Sequence, residues 1–223
     1  MSIVLHNCIA SAGGMSFIAK RRRDALPRTP DSKFGFRLKR ICVFCGSAVG
    51  AQPIFSQTAV ALAEYLALRK VGIVYGGGGI GLMGALADAA LASGGDVIGV
   101  IPRALADREV AHTGLTKLHI VGSMHERKAL MAELSDAFIA LPGGFGTLEE
   151  FCEVLTWAQL GIHRKPLGLL NIEGYYNHLL RMFDHAVAEK FVRPETRALV
   201  LASDSLDALF LQMRLPSDTD EDL

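Results

Sequence analysis

The chain is organised around the stretch Leu141-Pro142-Gly143-Gly144-Phe145-Gly146-Thr147-Leu148-Glu149-Glu150. The apolar run 137–141 before the glycines predicts a buried strand, and apolar residues at helical spacing predict a helix over 147–160. A strand, a glycine turn and a helix start bring free backbone N–H groups to the positive end of a helix dipole, which suits a phosphate. We expect Thr147 to be the helix N-cap or to donate its hydroxyl to the same anion. Glu149 and Glu150 then lie in the first turn, where a carboxylate either favours the dipole or acts on the group that carries the phosphate.

Strand and helix signals alternate along the rest of the chain. Further strands are predicted over 41–45, 71–75, 96–101, 118–121 and 166–170. Further helices are predicted over 53–69, 80–93, 124–134 with Ser123 as N-cap, 175–190 and 206–213. This alternation predicts an α/β fold, a Rossmann-like doubly wound parallel sheet with helices on both faces.

The composition predicts one domain with two appended segments. A chain of 223 residues with 50% hydrophobic content fits a single globular domain, which we place at 39–214. Residues 1–40 contain nine Lys/Arg and two Asp/Glu, so 1–38 is predicted to be a disordered basic leader without a role in the chemistry. An organelle-targeting peptide and an over-long start, with Met15 as initiator, stay open as alternatives. Residues 215–223 are an acidic tail. No segment is apolar enough for a confident membrane span.

The cysteines predict neither a disulfide framework nor a metal site. Cys42 and Cys45 are three residues apart on a predicted strand and therefore point to opposite faces of the sheet. No second pair of cysteines or histidines completes a tetrahedral metal site. We expect these cysteines to be buried in the core as small hydrophobic residues. Free cysteines indicate a reducing compartment, so we expect a cytoplasmic protein.

Parallel sheets bind ligands at the carboxyl ends of their strands, and the loops of this chain that are candidates for binding all lie there. These loops are Gly46-Ser47, 76–79, 102–117 and 142–147. The run 76–79 does not match the dinucleotide fingerprint GxGxxG. Close packing of helix on strand explains some of these glycines, but two glycine-rich turns favour a phosphate and a sugar or base.

Arg127 lies at the start of the helix predicted over 124–134, where a cation opposes the helix dipole. Such a cation needs a partner, and both a phosphorylated substrate and a catalytic carboxylate fit. The neighbouring Glu126 is expected to be solvated.

The sequence PGGFGTLEE at 142–150 resembles the PGGxGTxxE signature of the Lonely Guy family, phosphoribohydrolases that release cytokinin bases from their riboside 5′-monophosphates. The resemblance runs from about Lys39 to Phe210. It includes YGGGGIGLMG at 75–84, PRALADRE at 102–109, MHERKALM at 124–131 and TWAQLGIHRKPLGLLN at 156–171. Members have also been labelled possible lysine decarboxylases, a chemistry that these residues do not support.

The resemblance implies that Arg127 and Glu150, the last residue of the signature, are catalytic. Together with the loops at the strand ends it implies a set of substrate-binding residues. These are Gly46, Ser47, Gly78, Arg108, Glu109, Met124, Lys128, Gly143, Gly144, Phe145, Gly146, Thr147, Leu148 and Glu149.

The implied reaction is hydrolysis of the N-glycosidic bond of a nucleoside 5′-monophosphate through an oxocarbenium-like transition state. Glu150 would stabilise that cation, polarise the ribose 2′-hydroxyl or align water, while Arg127 keeps Glu150 ionised. The general acid is either Glu109 or water. We expect no cofactor, no metal, no nucleic acid and no membrane partner, and a homodimer with a higher oligomer left open.

Four alternatives compete with this function. One is a pure scaffold protein, which would have no need of Arg127, Glu150 and two phosphate loops. A broader purine nucleotide nucleosidase acting on AMP would share every residue named and differ in the base pocket. A non-catalytic nucleotide or cofactor carrier would retain its ligand without releasing ribose 5-phosphate. A pyridoxal phosphate decarboxylase would need a Schiff-base lysine in a much larger fold.

Overall fold

The computed structural model describes residues 38–106 and 111–213, which contain seven strands and eight α-helices. The strands are β1 (Arg40–Phe44), β2 (Gly72–Tyr75), β3 (Val97–Pro102), β4 (Lys117–Val121), β5 (Ala137–Ala140), β6 (Leu167–Leu170) and β7 (Val200–Ser203). The helices are α1 (Pro53–Leu68), α2 (Gly81–Ala92), α3 (Arg103–Ala106), α4 (Met124–Glu133), α5 (Phe145–Gln159), α6 (Asn177–Ala188), α7 (Pro194–Arg197) and α8 (Leu206–Gln212). None of these helices is long and apolar enough to cross a membrane.

All seven strands are parallel and lie in the order β4-β3-β2-β1-β5-β6-β7. The chain builds outward from β1 to β4, and α4 then returns it to β5 on the other side of β1. In that central pair Ile41 lies opposite Ala137 and Phe44 opposite Ala140. The strand order therefore reverses between β1 and β5, and the crevice beyond their carboxyl ends is where such sheets bind ligands.

Helices cover both faces of the sheet, which confirms the predicted doubly wound fold. Ile41 and Val43 point to the face packed by α1, α2 and α8, whereas Cys42 and Phe44 point to the face packed by α4, α5 and α6. Cys45 lies on the first face and both cysteines are buried and free, so the prediction of opposite faces is confirmed.

The predicted domain, 39–214, nearly coincides with the range of described residues, 38–213. The predicted tail 215–223 and all of the predicted leader except Leu38 lie outside the described residues. Leu38 is 5% exposed and packs against the core. The folded domain thus includes Leu38, which was predicted to belong to the leader.

The structure corrects several predicted elements. Strand β7 was not predicted because only Val200 of its four residues is buried, and helix α7 was not predicted because four residues are too few for a periodic signal. Helix α3 lies within the segment predicted to be irregular. The predicted N-cap Ser123 is confirmed, since its Oγ accepts a hydrogen bond from the Glu126 amide at 3.2 Å. The N-cap of α5 is Gly144, not Thr147, so that helix begins two residues before the prediction.

Candidate active site

The loops that follow β1 and β5 contact each other at the crevice. The Gly46 amide donates to the Pro142 carbonyl at 3.1 Å, and the Gly46 carbonyl accepts from the Leu82 amide at 3.0 Å, at the start of α2. A Cβ added at Gly143 would lie 2.9 Å from the Gly46 nitrogen and 2.1 Å from Thr147 Oγ1. The two loops can approach this closely only because glycine occupies position 143.

Helix α5 presents its first amides at this point. The Leu148 amide donates to the Gly144 carbonyl at 3.2 Å, as expected at the first closed turn of a helix. Among the described residues, the amides of 144–147 donate to no protein acceptor. Residues 144–146 are exposed, so these N–H groups and the helix dipole form an anion cradle, which we define as the backbone of 143–147.

Side chains around the cradle have different surroundings. Thr147 is buried, with its hydroxyl against Gly143, whereas the Phe145 ring is 92% exposed. Leu148 packs against the core beneath α5, so the structure does not bring its side chain to the cradle. Ser47 is exposed, and its backbone lies directly against Gly81.

Arg127 extends from the first turn of α4 and is 5% exposed. Its Nη2 lies 3.6 Å from Glu150 Oε1, and its Nη1 lies 3.8 Å from the sulfur of Met124. Its Nε has no hydrogen-bond partner among the described residues. A Cβ at Gly76 would lie 2.1 Å from Nη2, so the guanidinium occupies the space that a side chain at position 76 would fill. Of the two partners expected for Arg127, the structure contains the carboxylate.

The two neighbouring glutamates of α5 diverge by about 100°, as residues one apart on a helix do. The Glu150 side chain is 11% exposed and faces Arg127. The Glu149 side chain is 54% exposed and pairs with Lys128 at 2.5 Å. The structure therefore brings only Glu150 to Arg127.

Lys128 is a buried cation held by two carboxylates. Its Nζ lies 2.5 Å from Glu149 and 3.0 Å from Glu153, and its side chain is 9% exposed. Burial opposes its charge, but Glu149 and Glu153 outweigh this effect and raise the pKa of Lys128. Lys128 thus connects α4 to α5. The exposed Glu126 likewise has a protein partner, since its carboxylate accepts from the Gly122 amide at 2.8 Å.

The second glycine loop, 76–79, is occupied by contacts within the protein. The Gly77 carbonyl accepts from the His112 amide at 3.0 Å, and Gly78 forms a bridge to Ala111. Gly78 is buried. Arg108 and Glu109 lie outside the described residues, so their predicted roles stay predictions.

Sequence reasoning missed two tyrosines that contact the backbone of 141–143, where β5 leads into the cradle. Tyr175 donates to the Gly143 carbonyl at 2.6 Å, and Tyr176 donates to the Leu141 carbonyl at 2.5 Å. Both were assigned to a helix predicted over 175–190, but α6 begins at Asn177. Gly174 immediately before them was the available signal for a turn.

The chain is similar to proteins of known family. A family model described as "Possible lysine decarboxylase" matches residues 83–213. The cytokinin riboside 5′-monophosphate phosphoribohydrolase LOG7 of Arabidopsis thaliana is 50% identical over 177 residues, which cover 79% of this chain and 82% of the relative. The probable cytokinin riboside 5′-monophosphate phosphoribohydrolase LOGL9 of Oryza sativa subsp. japonica is 53% identical over 173 residues, which cover 78% of this chain and 76% of the relative. The chain belongs to the Lonely Guy family.

Solved structures place this Lonely Guy chain among Rossmann-like proteins. A molybdenum cofactor binding protein from Rippkaea orientalis superposes with a TM-score of 0.60 at 23% identity, over 80% of this chain and 97% of that one. The molybdenum cofactor carrier protein of Chlamydomonas reinhardtii superposes with a TM-score of 0.59 at 21% identity, over 80% of this chain and 99% of that one. At such identities the likeness concerns the fold alone, and it agrees with the predicted fold.

Proposed function

We propose that this chain is a phosphoribohydrolase that cleaves the N-glycosidic bond of cytokinin riboside 5′-monophosphates, which are N6-substituted AMP. The products are the free cytokinin base and ribose 5-phosphate. The names of relatives about half identical over roughly four fifths of the chain support this function. The observation that carries it is the buried Arg127–Glu150 pair, whose glutamate extends from the same helix that begins at the anion cradle.

The anion cradle would bind the 5′-phosphate. Its amides have no acceptor among the described protein atoms, and the positive end of α5 favours a dianion there. Binding a phosphate remote from the reacting bond positions the ribose and supplies binding energy to the transition state. Glu150 lies two turns or less into the same helix, within reach of a ribose whose phosphate occupies the cradle.

Glu150 would act on the sugar as the bond to the base breaks. The anomeric carbon gains positive charge, and a carboxylate beside it stabilises that charge, polarises the 2′-hydroxyl or aligns the attacking water. Arg127 lies beside this carboxylate as its ion-pair partner. The separation of 3.6 Å is that of an ion pair and is longer than a hydrogen bond. The Nε of Arg127, which has no hydrogen-bond partner among the described residues, would donate to the substrate.

The test is product analysis with matched substrates. Purified protein is incubated with isopentenyladenosine 5′-monophosphate, AMP and the two nucleosides, and free base is quantified by chromatography. We expect base from the N6-substituted monophosphate and poor reaction of its nucleoside. Preferred turnover of AMP would favour the broader nucleosidase, and retention of nucleotide without any product would favour a carrier.

We further propose that the chain forms a homodimer through the face of α5 and α6. Helix α6 has no buried residue, and Met182 on it is 58% exposed. Several apolar side chains of this face are only partly buried, namely Leu148, Leu155, Trp157, Leu179, Leu180 and Phe183. Light scattering coupled to gel filtration measures the mass directly, and a charge at Met182 should dissociate the dimer. A cytoplasmic location stays a prediction.

A further inference from the structure

Every carbonyl oxygen of the segment 141–144 accepts a hydrogen bond from the protein. The four donors are the Tyr176 hydroxyl to Leu141 at 2.5 Å, the Gly46 amide to Pro142 at 3.1 Å, the Tyr175 hydroxyl to Gly143 at 2.6 Å and the Leu148 amide to Gly144 at 3.2 Å. The carbonyl and N–H of a trans peptide point in opposite directions. Holding the Gly143 carbonyl toward Tyr175 therefore directs the Gly144 N–H away from it.

This orientation matters because the segment contains two successive glycines. Glycine has access to backbone conformations that other residues avoid, so an unrestrained Gly143–Gly144 peptide can rotate. Rotation would turn a carbonyl oxygen toward the cradle, where it repels an anion. Donors that are already oriented toward a charge need no reorganisation when the charge arrives.

A tight turn and ring contacts position the two tyrosines. The chain reverses after β6 through Glu173 and Gly174, whose φ angles are 52° and 66°. The Tyr176 amide then donates to the Asn171 side chain at 2.7 Å. The Tyr176 ring is 1% exposed, and the Tyr175 ring packs edge-on against it and against Phe55, with centroids 5.0 and 6.0 Å apart.

The second glycine loop is restrained in the same way. The Tyr75 hydroxyl donates to the Gly78 carbonyl at 3.2 Å. Three of the four tyrosines of the chain thus donate to glycine-loop segments. The fourth, Tyr65, packs on α1 against Phe210 and Arg69 and provides a matched control.

We propose that Tyr175 is a positioning residue that holds the Gly143–Gly144 peptide of the cradle in the orientation that binds phosphate. Tyr176 supports it by packing against the Tyr175 ring and by holding the Leu141 carbonyl just before the cradle. The inference rests on the proposed function for the identity of the ligand. Neither hydroxyl needs to touch the substrate, because each acts through the backbone carbonyl that it holds.

The test compares Tyr175→Phe with Tyr65→Phe on substrates with and without the phosphate. We expect Tyr175→Phe to lower kcat/KM for the 5′-monophosphate by about tenfold, mainly through KM, as the loss of one hydrogen bond would. The rate with the nucleoside should not change, so the preference for phosphate falls. Tyr65→Phe should change neither rate. An equal loss on both substrates would indicate a structural role, and no loss on either would show that the hydroxyl is dispensable; each result overturns the proposal.

A binding measurement separates this proposal from the proposed function. Calorimetry with ribose 5-phosphate should show about tenfold weaker binding to Tyr175→Phe than to the wild type. If the wild type binds the sugar phosphate without hydrolysing any nucleotide, the hydrolase proposal fails while the positioning role is still measured. Equal affinity of the two proteins, or no binding to the wild type, overturns the positioning role.

A second variant, Tyr176→Phe, tests the support from Tyr176 while the Tyr175 hydroxyl is kept. Burial raises the pKa of Tyr176, so its hydroxyl stays protonated and able to donate throughout the working pH range. We expect a selective loss of phosphate preference that is smaller than for Tyr175→Phe, because the Tyr176 hydroxyl holds the Leu141 carbonyl just before the cradle. Circular dichroism melts identify any share of the effect that comes from lost folding. If folded Tyr176→Phe protein keeps the wild-type phosphate preference, Tyr176 has no positioning role.

Discussion

The two glycine-rich loops at the carboxyl edge of the sheet use their glycines for different purposes. In the loop after β5, residues 144–146 are exposed and their amides have no acceptor among the described residues. In the loop after β2, residues 76–78 are buried, and the carbonyls of Gly77 and Gly78 already accept hydrogen bonds. The first loop offers backbone donors to a ligand. The second provides space, because the guanidinium of Arg127 lies where a side chain at Gly76 would be.

This difference shows how two similar sequence patterns contribute to one site. The β5 loop and α5 supply the anion cradle and Glu150. The β2 loop lets Arg127, from α4, reach that glutamate across the sheet. The proposed phosphate site and a charged pair thus meet at the point where the strand order reverses.

The largest effect is expected at Glu150, which lies on the α5 side of this comparison. Glu150→Gln preserves size and removes charge, so nucleotide binding should survive while kcat falls by about 100-fold, roughly 3 kcal/mol in the transition state. Glu149→Gln is the matched control, because Glu149 faces Lys128 and is half exposed. Steady-state kinetics on both variants decide the assignment. If Glu149→Gln is inactive and Glu150→Gln is active, the catalytic residue is Glu149 and the assignment to Glu150 is wrong.

A smaller loss is expected when the space at the β2 loop is filled. Gly76→Ala places a methyl group 2.1 Å from Arg127 Nη2 and should displace the guanidinium. We expect kcat/KM to fall by about 30-fold, since small misplacement of a site group is costly. Gly114→Ala is the control, because residue 114 is exposed before β4 and a Cβ there would approach only the His112 ring, at 3.3 Å. Equal activity of the two variants would remove the distinction between the loops.

The ion pairs that join α4 to α5 should contribute to stability more than to turnover. Lys128→Ala leaves Glu149 and Glu153 without their shared cation. Because Glu149 is half exposed, we expect the free energy of unfolding to fall by about 1 to 3 kcal/mol, the cost of leaving partly buried partners unpaired, with a small loss of substrate affinity. Urea denaturation measures this change, and the exposed Lys117→Ala serves as control. A large fall in kcat at unchanged stability would instead indicate direct contact with the substrate.

The smallest effect is expected from His163, far from both loops in sequence. Burial and the charge of Lys165 lower the pKa of His163 below its usual value of 6.5. The folded state therefore favours the neutral ring, so this contribution to stability is complete above about pH 6.5 and is lost as the pH falls through the lowered pKa. Thermal melts between pH 5 and 8 should show a decrease at low pH that His163→Gln reduces. An unchanged pH profile in the variant would exclude this histidine as the cause.

Local patterns predicted most of the fold. The six predicted strands each match an observed strand to within one residue at either end, because buried parallel strands are short runs of apolar residues between glycine or polar turns. Edge strand β7 escaped prediction, since a four-residue run that is mostly half-buried resembles a loop. The start of α5 was wrong for a related reason. Thr147 is a good N-cap residue, but glycine capped the helix without a side chain.

The contacts between distant segments could not be predicted in this way. Arg127 and Glu150 were paired by family resemblance, and the geometry that joins them depends on α4 crossing back to β5. The proximity of Gly76 to Arg127, and of Tyr175 to Gly143, arises from the order of strands rather than from any local spacing. The predicted helix over 175–190 concealed the tyrosines because Leu179, Leu180 and Phe183 continue a helical pattern toward them.

The claim that the loop after β5 binds the phosphate, and that the loop after β2 does not, is tested most directly by amide chemical shifts. In ¹H–¹⁵N spectra of the labelled protein titrated with ribose 5-phosphate, the account predicts that the amides of 144–147 show the largest shifts. The amides of Gly77 and Gly78 should move little, because these residues are buried within the protein. Saturable shifts centred on Gly77 and Gly78, with 144–147 unchanged, would contradict the account and place the phosphate at the other loop.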